Sequence, residues 1–339
     1  MKNQTSNSSD PCISWGILGA GGIANKFAEA TRQVDACGLV AVAGRTPGKA
    51  AAFAERHGIT DAYESYEQLL ARTDIDAVYV ATTHNIHAEC VTLALEAGKH
   101  VLCEKPFTVN AREAEALGAL AKEKGLFLME AMWTRFLPCM RQAMAWLKEG
   151  RIGEIRQLRA NFSFDRPYDP QHRLYNPELA GGALLDAGIY PVSFASMVMG
   201  RQPDRILSMA LTVETGVDAQ SALMFDYGNT VLGVLSTGCN VRQVNRAEIL
   251  GSEGMILFPE TFHGATRVEV HRYSQPMMER REFPHPGGNG FTYEIEEACA
   301  CIRKGLIESP DLTVQESIDL MGTLDTIRGQ WGLRYPGEA

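Results

Sequence analysis

The sequence predicts an α/β protein: a doubly wound parallel sheet in the N-terminal part, and an α+β C-terminal domain with a mostly antiparallel open sheet. Three observations carry this prediction. Short apolar runs alternate with helical patterns up to about Arg135, a glycine-rich turn follows the first run, and longer segments of alternating polarity come after Arg135. Short runs separated by helices are typical of parallel strands with crossover helices, whereas long alternating segments are typical of antiparallel strands.

The predicted N-terminal strands are short apolar runs bounded by turn-forming residues. They cover residues 13–18, 39–43, 77–81, 100–103 and 126–129. Helices are predicted between the strands. Asn85 is placed to cap the start of one of them, which ends at Gly98, and Asn110 with Glu113 predicts the capped start of the next.

Beyond Arg135 the predicted strands are longer and the helices fewer. The strands cover 155–164, 205–213, 219–225 and 230–236, and the helices cover 181–199, 292–304 and 313–331. The run Asp226-Tyr227-Gly228-Asn229 predicts a hairpin turn between two of the strands. The change of pattern divides the 339-residue chain into a loose polar arm (1–11), a first domain (12–134) and a second domain (135–339).

Charge and composition exclude several classes of partner. The chain has 32 Lys and Arg against 41 Asp and Glu, a net charge of −9, and no basic run, so we expect no nucleic-acid binding. No apolar stretch is predicted to reach the roughly 18 residues of a membrane helix, and the N-terminus lacks an apolar signal-peptide core. The eight cysteines are scattered without a Cys-x-x-Cys pair, which favours a reducing compartment and a cytoplasmic protein.

The glycine turn after the first strand predicts a dinucleotide site. It reads Gly19, Ala20, Gly21, Gly22, Ile23, Ala24, which is the G-x-G-x-x-A pattern between a strand and a helix. The first glycine makes the tight turn, the second lets the backbone approach a pyrophosphate, and the small Ala24 permits close packing of helix on strand. This context predicts a Rossmann domain that binds a nicotinamide dinucleotide.

The end of the second strand bears on which dinucleotide binds. A carboxylate at this point holds the ribose 2′-hydroxyl of NAD, but here the strand ends in Ala43, Gly44, Arg45 and Thr46. Arg45 is suited to pair with a 2′-phosphate and to stack on adenine, so we predict NADP(H), with NAD still possible. The alternative is that Arg45 is an ordinary solvated surface residue.

Lys105, Asp186 and Tyr190 are the candidate catalytic residues. Lys105 follows a predicted parallel strand, at the edge where open α/β sheets bind ligands, and a lysine there is able to stabilise developing alkoxide charge. Asp186 and Tyr190 are four residues apart on an apolar predicted helix and so share one face. The alternative interpretation makes Asp186 a structural hydrogen-bond acceptor and Tyr190 a core phenol.

Three longer segments resemble the Gfo/Idh/MocA oxidoreductase family. They are Ala-Gly-Lys-His-Val-Leu-Cys-Glu-Lys-Pro at 97–106, the run at 126–136 and the run at 181–190. The last two are most similar to the branch of dimeric dihydrodiol dehydrogenases, which oxidise trans-dihydrodiols and D-xylose with NADP. Many members of the broader family carry a histidine where this chain has Tyr190, and this departure also favours that branch.

The resemblance implies roles for individual residues. Tyr190 is the general acid/base whose pKa Lys105 lowers, and Asp186 orients substrate hydroxyls or the lysine. It also implies a homodimer or larger homo-oligomer formed through the C-terminal domain, which binds the substrate as well. The implied cofactor contacts beyond the glycine turn and Arg45 are Thr82, His84, His87, Glu104 and Lys105, and the implied substrate contacts are Trp133, Arg135, Phe162 and Asp186.

The substrate expected from this resemblance is a small carbohydrate or cyclic diol, oxidised or reduced at a secondary carbinol. Two alternatives stay open at this point. One is a glycosidase that holds NAD and acts by transient oxidation, and the other is a non-catalytic, cofactor-sensing regulator on the same fold. No metal is predicted, because the His84–His87 pair has no supporting Cys, His or carboxylate ligand at a suitable spacing, and the pair is equally compatible with helix capping.

Overall fold

The first sheet is parallel, as predicted, and has six strands, one more than predicted, because Asp61–Tyr63 forms a short strand of its own. The computed structural model describes residues 12–35, 37–228, 231–275 and 278–338. The strands are β1 (Ile13–Leu18), β2 (Cys37–Ala43), β3 (Asp61–Tyr63), β4 (Ala77–Val80), β5 (His100–Glu104) and β6 (Leu128–Ala131). Their spatial order is β3-β2-β1-β4-β5-β6, so the direction of winding reverses between β1 and β4. A crevice at the carboxyl ends of strands forms at such a reversal.

Five helices join these strands. They are α1 (Gly22–Thr31), α2 (Lys49–His57), α3 (Tyr66–Leu70), α4 (His87–Glu96) and α5 (Ala111–Lys124). The predicted cap of α5 is confirmed, since the Asn110 side chain accepts a hydrogen bond from the backbone N–H of Glu113 at 3.0 Å. The predicted cap at Asn85 is wrong, because a short 3₁₀ turn (His84–Ile86) precedes α4 and the helix begins at His87 without a side-chain cap.

The second sheet has eight described strands and is antiparallel apart from one pair. The strands are β7 (Ile155–Ser163), β8 (Arg205–Thr212), β9 (Asp218–Asp226), β10 (Leu232–Gly238), β11 (Ala247–Gly251), β12 (Gly254–Phe258), β13 (Arg267–Arg272) and β14 (Met278–Glu282). Their order is β14-β13-β12-β11-β7-β10-β9-β8, and only the central pair β7–β10 is parallel. The mostly antiparallel open sheet is therefore confirmed, although β11 to β14 were not predicted.

The predicted hairpin is present as the antiparallel pair β9–β10. Part of its predicted turn, Asn229, lies outside the described residues, and so does the predicted arm 1–11.

Helices of the C-terminal part cover both sheets. They are α6 (Pro138–Lys148), α7 (Ile189–Met199), α8 (Thr292–Arg303) and α9 (Val314–Trp331). Helix α7 packs on β7 and β10, whereas α8 packs against α1 and α9 against α5. The last two helices thus return to the first sheet and pack the two parts of the chain together.

One segment has the length and composition of a membrane helix, contrary to the sequence-based expectation. The segment Pro177–Met199 has 23 residues and a mean hydropathy of 1.3 over its most apolar window. The structure buries 89% of that window, as expected for the core helix that packs against a sheet.

Candidate active site

A groove runs along the carboxyl edge of the first sheet, at the point where the direction of winding reverses between the paired strands β1 and β4. Its volume is about 480 Å³. The structure brings together along this groove all the residues predicted to contact the cofactor, namely Gly19, Ala20, Gly21, Gly22, Ile23, Arg45, Thr82, His84, His87, Glu104 and Lys105. Lys49, Tyr66, Arg173 and Asp186 line it as well.

The glycine turn has the backbone that the motif requires. Gly19 has φ of +104°, and a Cβ atom there would lie 2.6 Å from the carbonyl oxygen of Ala81. Only glycine fits this position, because both the dihedral angle and the close approach exclude a side chain. Gly21 then precedes α1 and Ala24 is fully buried, so the N-terminus of α1 points its free N–H groups at the groove.

Arg45 lies at the far end of the groove between an aromatic ring and a carboxylate. Its guanidinium is 4.5 Å from the ring centre of Tyr66, and Nη2 is 2.5 Å from Oε1 of Glu89. Both members of the ion pair are nearly half exposed, so the pair is weak and open to competition by an anion. Lys49 adds a second positive charge to this end of the groove.

His84 and His87 form the floor of the groove and hold backbone carbonyls. His87 is fully buried, with Nδ1 2.8 Å from the oxygen of Pro106 and Nε2 3.3 Å from the oxygen of Thr82. Burial lowers the pKa of His87 to about 4 and that of His84 to about 3. In the neutral His84 ring Nδ1 donates, since a carbonyl only accepts, whereas the one N–H of neutral His87 serves one of its two carbonyl neighbours. His84 Nδ1 donates to the oxygen of Ala180 at 3.1 Å, which ties the first sheet to the C-terminal part.

Glu104 is buried beside Lys105 with its own partners. One carboxylate oxygen accepts a hydrogen bond from the hydroxyl of Tyr79, and the other accepts from the backbone N–H of Lys105 at 3.2 Å. Burial raises the pKa of Glu104, so this carboxyl loses its charge more readily than a free one. Glu104 thus lies at the groove wall and also anchors the strand end that carries Lys105.

Lys105 is ion-paired with Asp186. Its Nζ lies 2.5 Å from the backbone oxygen of Asp186 and 3.4 Å from Oδ1. Arg173 donates to the same Oδ1 at 2.9 Å. Burial opposes a charge on Asp186, but Lys105 and then Arg173 outweigh it and hold the pKa of Asp186 well below its usual range. The group is therefore a carboxylate between two cations.

A π-helical turn presents Asp186 to the lysine. The turn Leu184–Gly188 precedes α7, and the N–H of Ile189 bonds to the carbonyl of Leu184, five residues back. The predicted α-helix over 181–199 therefore begins with a wider winding. Single π turns inside helices recur at functional sites. Asp218 holds the start of this turn by accepting from the N–H of Leu184 at 2.7 Å.

Tyr190 lies next to Lys105, as expected from the sequence, but its hydroxyl is held by another residue. The Lys105 ammonium is 5.0 Å from the centre of the Tyr190 ring, and the Tyr190 hydroxyl accepts from Nε1 of Trp133 at 3.1 Å. Burial, followed by the nearby Glu104 carboxylate, raises the pKa of Tyr190 well above 10. The expected lowering by Lys105 is absent here, because the ammonium is directed at Asp186.

Five neighbouring rings form what we call the aromatic cluster: Trp133, Phe162, Tyr190, His263 and Phe291. Trp133 stacks on Phe291, with ring centres 4.9 Å apart. Phe162 stacks on His263 at 3.9 Å and meets the edge of Tyr190 at 5.1 Å. The structure thus places the predicted substrate contacts Trp133 and Phe162 beside Tyr190, whose ring is the neighbour of Lys105.

Arg135 does not join this group, and its assignment to substrate binding is corrected. Its guanidinium donates to the carboxylate of Glu316 at 2.8 Å and to the carbonyl of Asp311 at 3.1 Å. The physical reason is local: a 3₁₀ turn (Trp133–Phe136) directs the two side chains apart, so Trp133 faces Tyr190 while Arg135 faces the first turn of α9. Arg135 stabilises the packing of α9.

Arg173, His263 and Phe291 are site residues that sequence reasoning missed. Arg173 and His263 lie on irregular segments, where no periodicity marks a side chain that points to a site. Phe291 precedes α8, and its spacing is that of an ordinary core residue. The usable signal for the last two was a neighbouring glycine, Gly264 after His263 and Gly290 before Phe291. A Cβ at either glycine would lie within 2.8 Å of the Trp133 ring.

Comparisons with known proteins agree with this geometry. Residues 13–132 match the model for the "Oxidoreductase family, NAD-binding Rossmann fold", and residues 140–257 match that for the "GFO/IDH/MocA C-terminal domain". The chain is 38% identical to a trans-1,2-dihydrobenzene-1,2-diol dehydrogenase of Mus musculus, over 96% of this chain and 98% of that protein. Its counterpart in Xenopus tropicalis is 36% identical over 95% of this chain and 99% of that protein.

Solved structures show the same two-part architecture. A 3-ketoreductase from Actinomadura kijaniata, in complex with NADP and TDP-benzene, superposes with a TM-score of 0.83 at 30% identity, covering 94% of this chain and 97% of that one. A levoglucosan dehydrogenase with NADH and levoglucosan has a TM-score of 0.85 at 21% identity, covering 94% and 97%, which shows likeness of fold alone. With both parts of the chain matched, this protein is an oxidoreductase that belongs to the Gfo/Idh/MocA family.

Proposed function

We propose that the protein transfers hydride between NADP(H) and a secondary carbinol of a cyclic diol or sugar. The observation that carries the proposal is the position of Lys105. Its ammonium lies where the cofactor groove meets the Tyr190 ring, within 5.0 Å of the ring centre. The relatives' names support the substrate class, since they are a dihydrodiol dehydrogenase at 38% identity and a 3-ketoreductase at 30% identity.

The residues of the site divide the chemistry between them. When bound, NADP supplies the nicotinamide carbon that accepts the hydride from the carbinol C–H bond. Lys105 donates a hydrogen bond to the carbinol oxygen and stabilises the negative charge that develops there. In the reducing direction the neutral phenol of Tyr190 donates its proton to that oxygen and becomes a phenolate, and in the oxidising direction the phenolate takes the carbinol proton. Trp133 orients the phenol, and Asp186 positions Lys105.

The choice of NADP over NAD is part of the proposal and rests on the charges at the far end of the groove. Arg45 and Lys49 both line this end, and the Arg45 guanidinium lies over the Tyr66 ring, 4.5 Å from its centre. A planar guanidinium in this position suits bidentate contact with a 2′-phosphate. We expect a lower Kd for NADP than for NAD, measured by cofactor fluorescence, and a lower Kd for NAD would overturn this choice.

Substrate-dependent formation of NADPH is the test of the activity. D-xylose, D-glucose, inositols and a trans-dihydrodiol form the panel, and Lys105→Met is expected to lower kcat by about a thousandfold because the alkoxide loses its charge partner. Lys148→Met, at the exposed end of α6, is the matched control. Tyr190→Phe is expected to lower kcat comparably, and near-normal turnover of either site variant would overturn its role.

The same panel separates the alternatives. Release of sugar from a glycoside without net NADPH would indicate the glycosidase, and tight cofactor binding with no turnover of any substrate would indicate the sensor. Net NADPH formation that depends on Lys105 is the outcome that the dehydrogenase predicts.

We propose that the protein is a homodimer, formed through the outer face of its second sheet. Leu207 (β8), Met224 (β9) and Val234 (β10) are paired across three neighbouring strands, and all three are exposed. Met209 and Leu211 extend this row along β8 and are 69% and 60% exposed. A contiguous apolar face of this kind is the usual mark of an isologous contact with a second copy. Light scattering is expected to give a dimer, and Met209→Lys is expected to yield a monomer.

We also propose that the protein works in the cytoplasm. All eight cysteines are free thiols in the structure, as a reducing compartment favours. Fractionation of cells that produce the protein is expected to place it with cytoplasmic markers, and its recovery with an oxidising compartment would overturn this.

A further inference from the structure

The backbone of His263 is held firmly in place, but its side chain makes no hydrogen bond within the residues that the structure describes that would explain this position. It lies on the 3₁₀ turn Phe262–Gly264, between β12 and β13. Three hydrogen bonds hold this turn: Thr134 donates to the His263 carbonyl at 2.5 Å, His285 donates to the Gly264 carbonyl at 3.2 Å, and the Phe262 N–H bonds to the carbonyl of Asn245 at 3.0 Å. The backbone of His263 is therefore fixed from three sides.

The His263 ring packs into the aromatic cluster without satisfying its own polar atoms. It stacks on Phe162 with an interplanar angle of 18°, and its centre is 5.5 Å from that of Tyr190. Its Nδ1 is buried and has no hydrogen-bond partner among the described residues. By contrast, both His87 nitrogens lie within hydrogen-bond distance of carbonyls, and His285 donates through Nε2 although its Nδ1 is also buried without a partner in the described part of the chain. Buried polar atoms are normally paired, so an orphan beside the candidate catalytic residues requires an explanation.

The charge state of His263 limits what it is able to bind. Burial, with a further contribution from Lys105, lowers its pKa to about 4, so the ring is neutral at pH 7. A neutral imidazole offers one N–H donor and one bare nitrogen acceptor. A hydroxyl group is able to pair with either nitrogen, because it both donates and accepts, whereas an apolar ring atom leaves the nitrogen unpaired.

We propose that His263 is a substrate-binding residue, which hydrogen-bonds a hydroxyl group of the substrate beyond the reacting carbinol and the hydroxyl next to it. His263 offers a polar atom that the described structure leaves unpaired, whereas Phe162 has none and Trp133 already uses its N–H on Tyr190. His263 also lies next to Tyr190, where the carbinol is oxidised. The inference rests on the proposed function and narrows its substrate class. The site then favours a sugar, which carries hydroxyls beyond the reacting carbon and its neighbour, over a trans-1,2-dihydrodiol, whose other ring carbons carry none.

The test compares two substrates in variants of one residue. His263→Phe keeps the stack on Phe162 and removes both nitrogens. We expect kcat/KM for D-xylose to fall about tenfold, mainly through KM, while kcat/KM for a trans-dihydrodiol changes less than threefold. His263→Asn and His263→Gln, which place an amide near the former Nδ1 and Nε2 respectively, are expected to restore part of the D-xylose activity. His271→Phe, at a histidine paired with Glu269 on β13, is the matched control.

The outcomes keep this inference separate from the proposed function. An equal fall for both substrates, or no change for either, would overturn the role of His263. A wild-type enzyme that oxidises the dihydrodiol but not D-xylose would overturn the preference for sugars and leave the dehydrogenase intact. If the wild type turns over neither substrate, the dehydrogenase fails. Calorimetry of D-xylose with the NADPH-loaded enzyme then decides His263, because binding that is unchanged by His263→Phe, or absent from the wild type, would overturn it.

Discussion

The cofactor groove and the aromatic cluster lie on opposite sides of Lys105 and are built in different ways. The groove is made mostly of short segments that follow strands of the first sheet, to which the C-terminal part adds Arg173 and Asp186. The cluster takes one ring each from five separate places between Trp133 and Phe291. Its rings meet only because α7 and α8 pack against the 3₁₀ turn Trp133–Phe136 that follows β6.

The difference shows what each region depends on. In the groove the decisive property is backbone geometry, set within a few residues of a strand end. In the cluster it is the docking of distant elements, and each ring by itself has the surroundings of an ordinary core residue. A change that affects local backbone strain is therefore expected to disrupt the groove, and a change at one ring edge is expected to affect the cluster while leaving cofactor binding intact.

The largest effect is expected from Gly19→Ala, which tests the dependence of the groove on backbone geometry. The new Cβ would meet the Ala81 carbonyl at 2.6 Å, at a residue with φ of +104°. Strain and the clash together are expected to lower the free energy of unfolding by about 3 to 4 kcal/mol and to abolish cofactor binding. Urea unfolding measures the first effect. Gly22→Ala is the control, since its Cβ meets nothing within 4 Å, and equal stabilities of the two variants would contradict the prediction.

The next effect concerns the buried histidine under the groove. His87 has a folded-state pKa of about 4, lowered by burial from an unfolded value of about 6.5. Its contribution to stability is fully present above pH 6.5 and is lost as the pH falls to about 4, because the unfolded chain binds the proton more readily. The loss amounts to at most about 3 kcal/mol. Urea unfolding across this range is expected to show a shallower acid-side loss in His87→Gln, and parallel curves would contradict the assignment.

A smaller effect is expected from Trp133→Phe, which changes the cluster alone. The variant keeps a ring to stack on Phe291 but removes the N–H that orients the Tyr190 hydroxyl. We expect kcat to fall about tenfold, with the Kd of NADP unchanged. Trp331→Phe, on α9, provides the matched control. If NADP binding weakened along with kcat, the groove and the cluster would not be the independent regions described above.

The smallest effect is expected at the Arg45–Glu89 pair, and it tests whether Arg45 contacts the 2′-phosphate of NADP. Glu89→Gln releases Arg45 from a partner 2.5 Å away and is expected to tighten NADP binding about threefold, because an exposed ion pair contributes little. Arg45→Ala is expected to weaken it about tenfold through the lost phosphate contact. Titrations with NAD serve as the control, since neither change is expected to alter its Kd. Identical shifts for both cofactors would contradict the 2′-phosphate contact.

Much of the fold was predictable because its signals are local. The strand Ile13–Leu18 was predicted to the residue, since it is an apolar run that ends at a glycine turn. The strands β11, β13 and β14 were not, because each mixes charged with apolar residues, and the short apolar run of β12 was missed as well. The π turn at Leu184–Gly188 was not predictable from the spacing of apolar residues either, because an α-helix and a π turn both place residues four apart on nearly the same face.

The candidate site divides in the same way. The predicted cofactor contacts all line the groove, because each follows a strand or a recognisable motif, whereas Lys49, Tyr66 and Arg173 line it without having been predicted. Arg135 was misassigned since closeness to Trp133 in sequence does not fix the direction of a side chain in a 3₁₀ turn. His263 shows no spacing that relates it to Lys105 or Tyr190. Its importance depends on an unpaired ring nitrogen, which only a three-dimensional structure shows.

The π turn also has a consequence for how this protein is able to change over evolution. A π turn holds one residue more than the α-helical winding of the same span, so it corresponds to a single-residue insertion. Deleting one residue between Asp186 and Tyr190 would restore the α-helix and rotate the two side chains by about 100° relative to each other. The carboxylate would then leave Lys105, although every side chain of the site would still be encoded. Relatives that differ by one codon here would differ in ion pairing while keeping the same set of site residues.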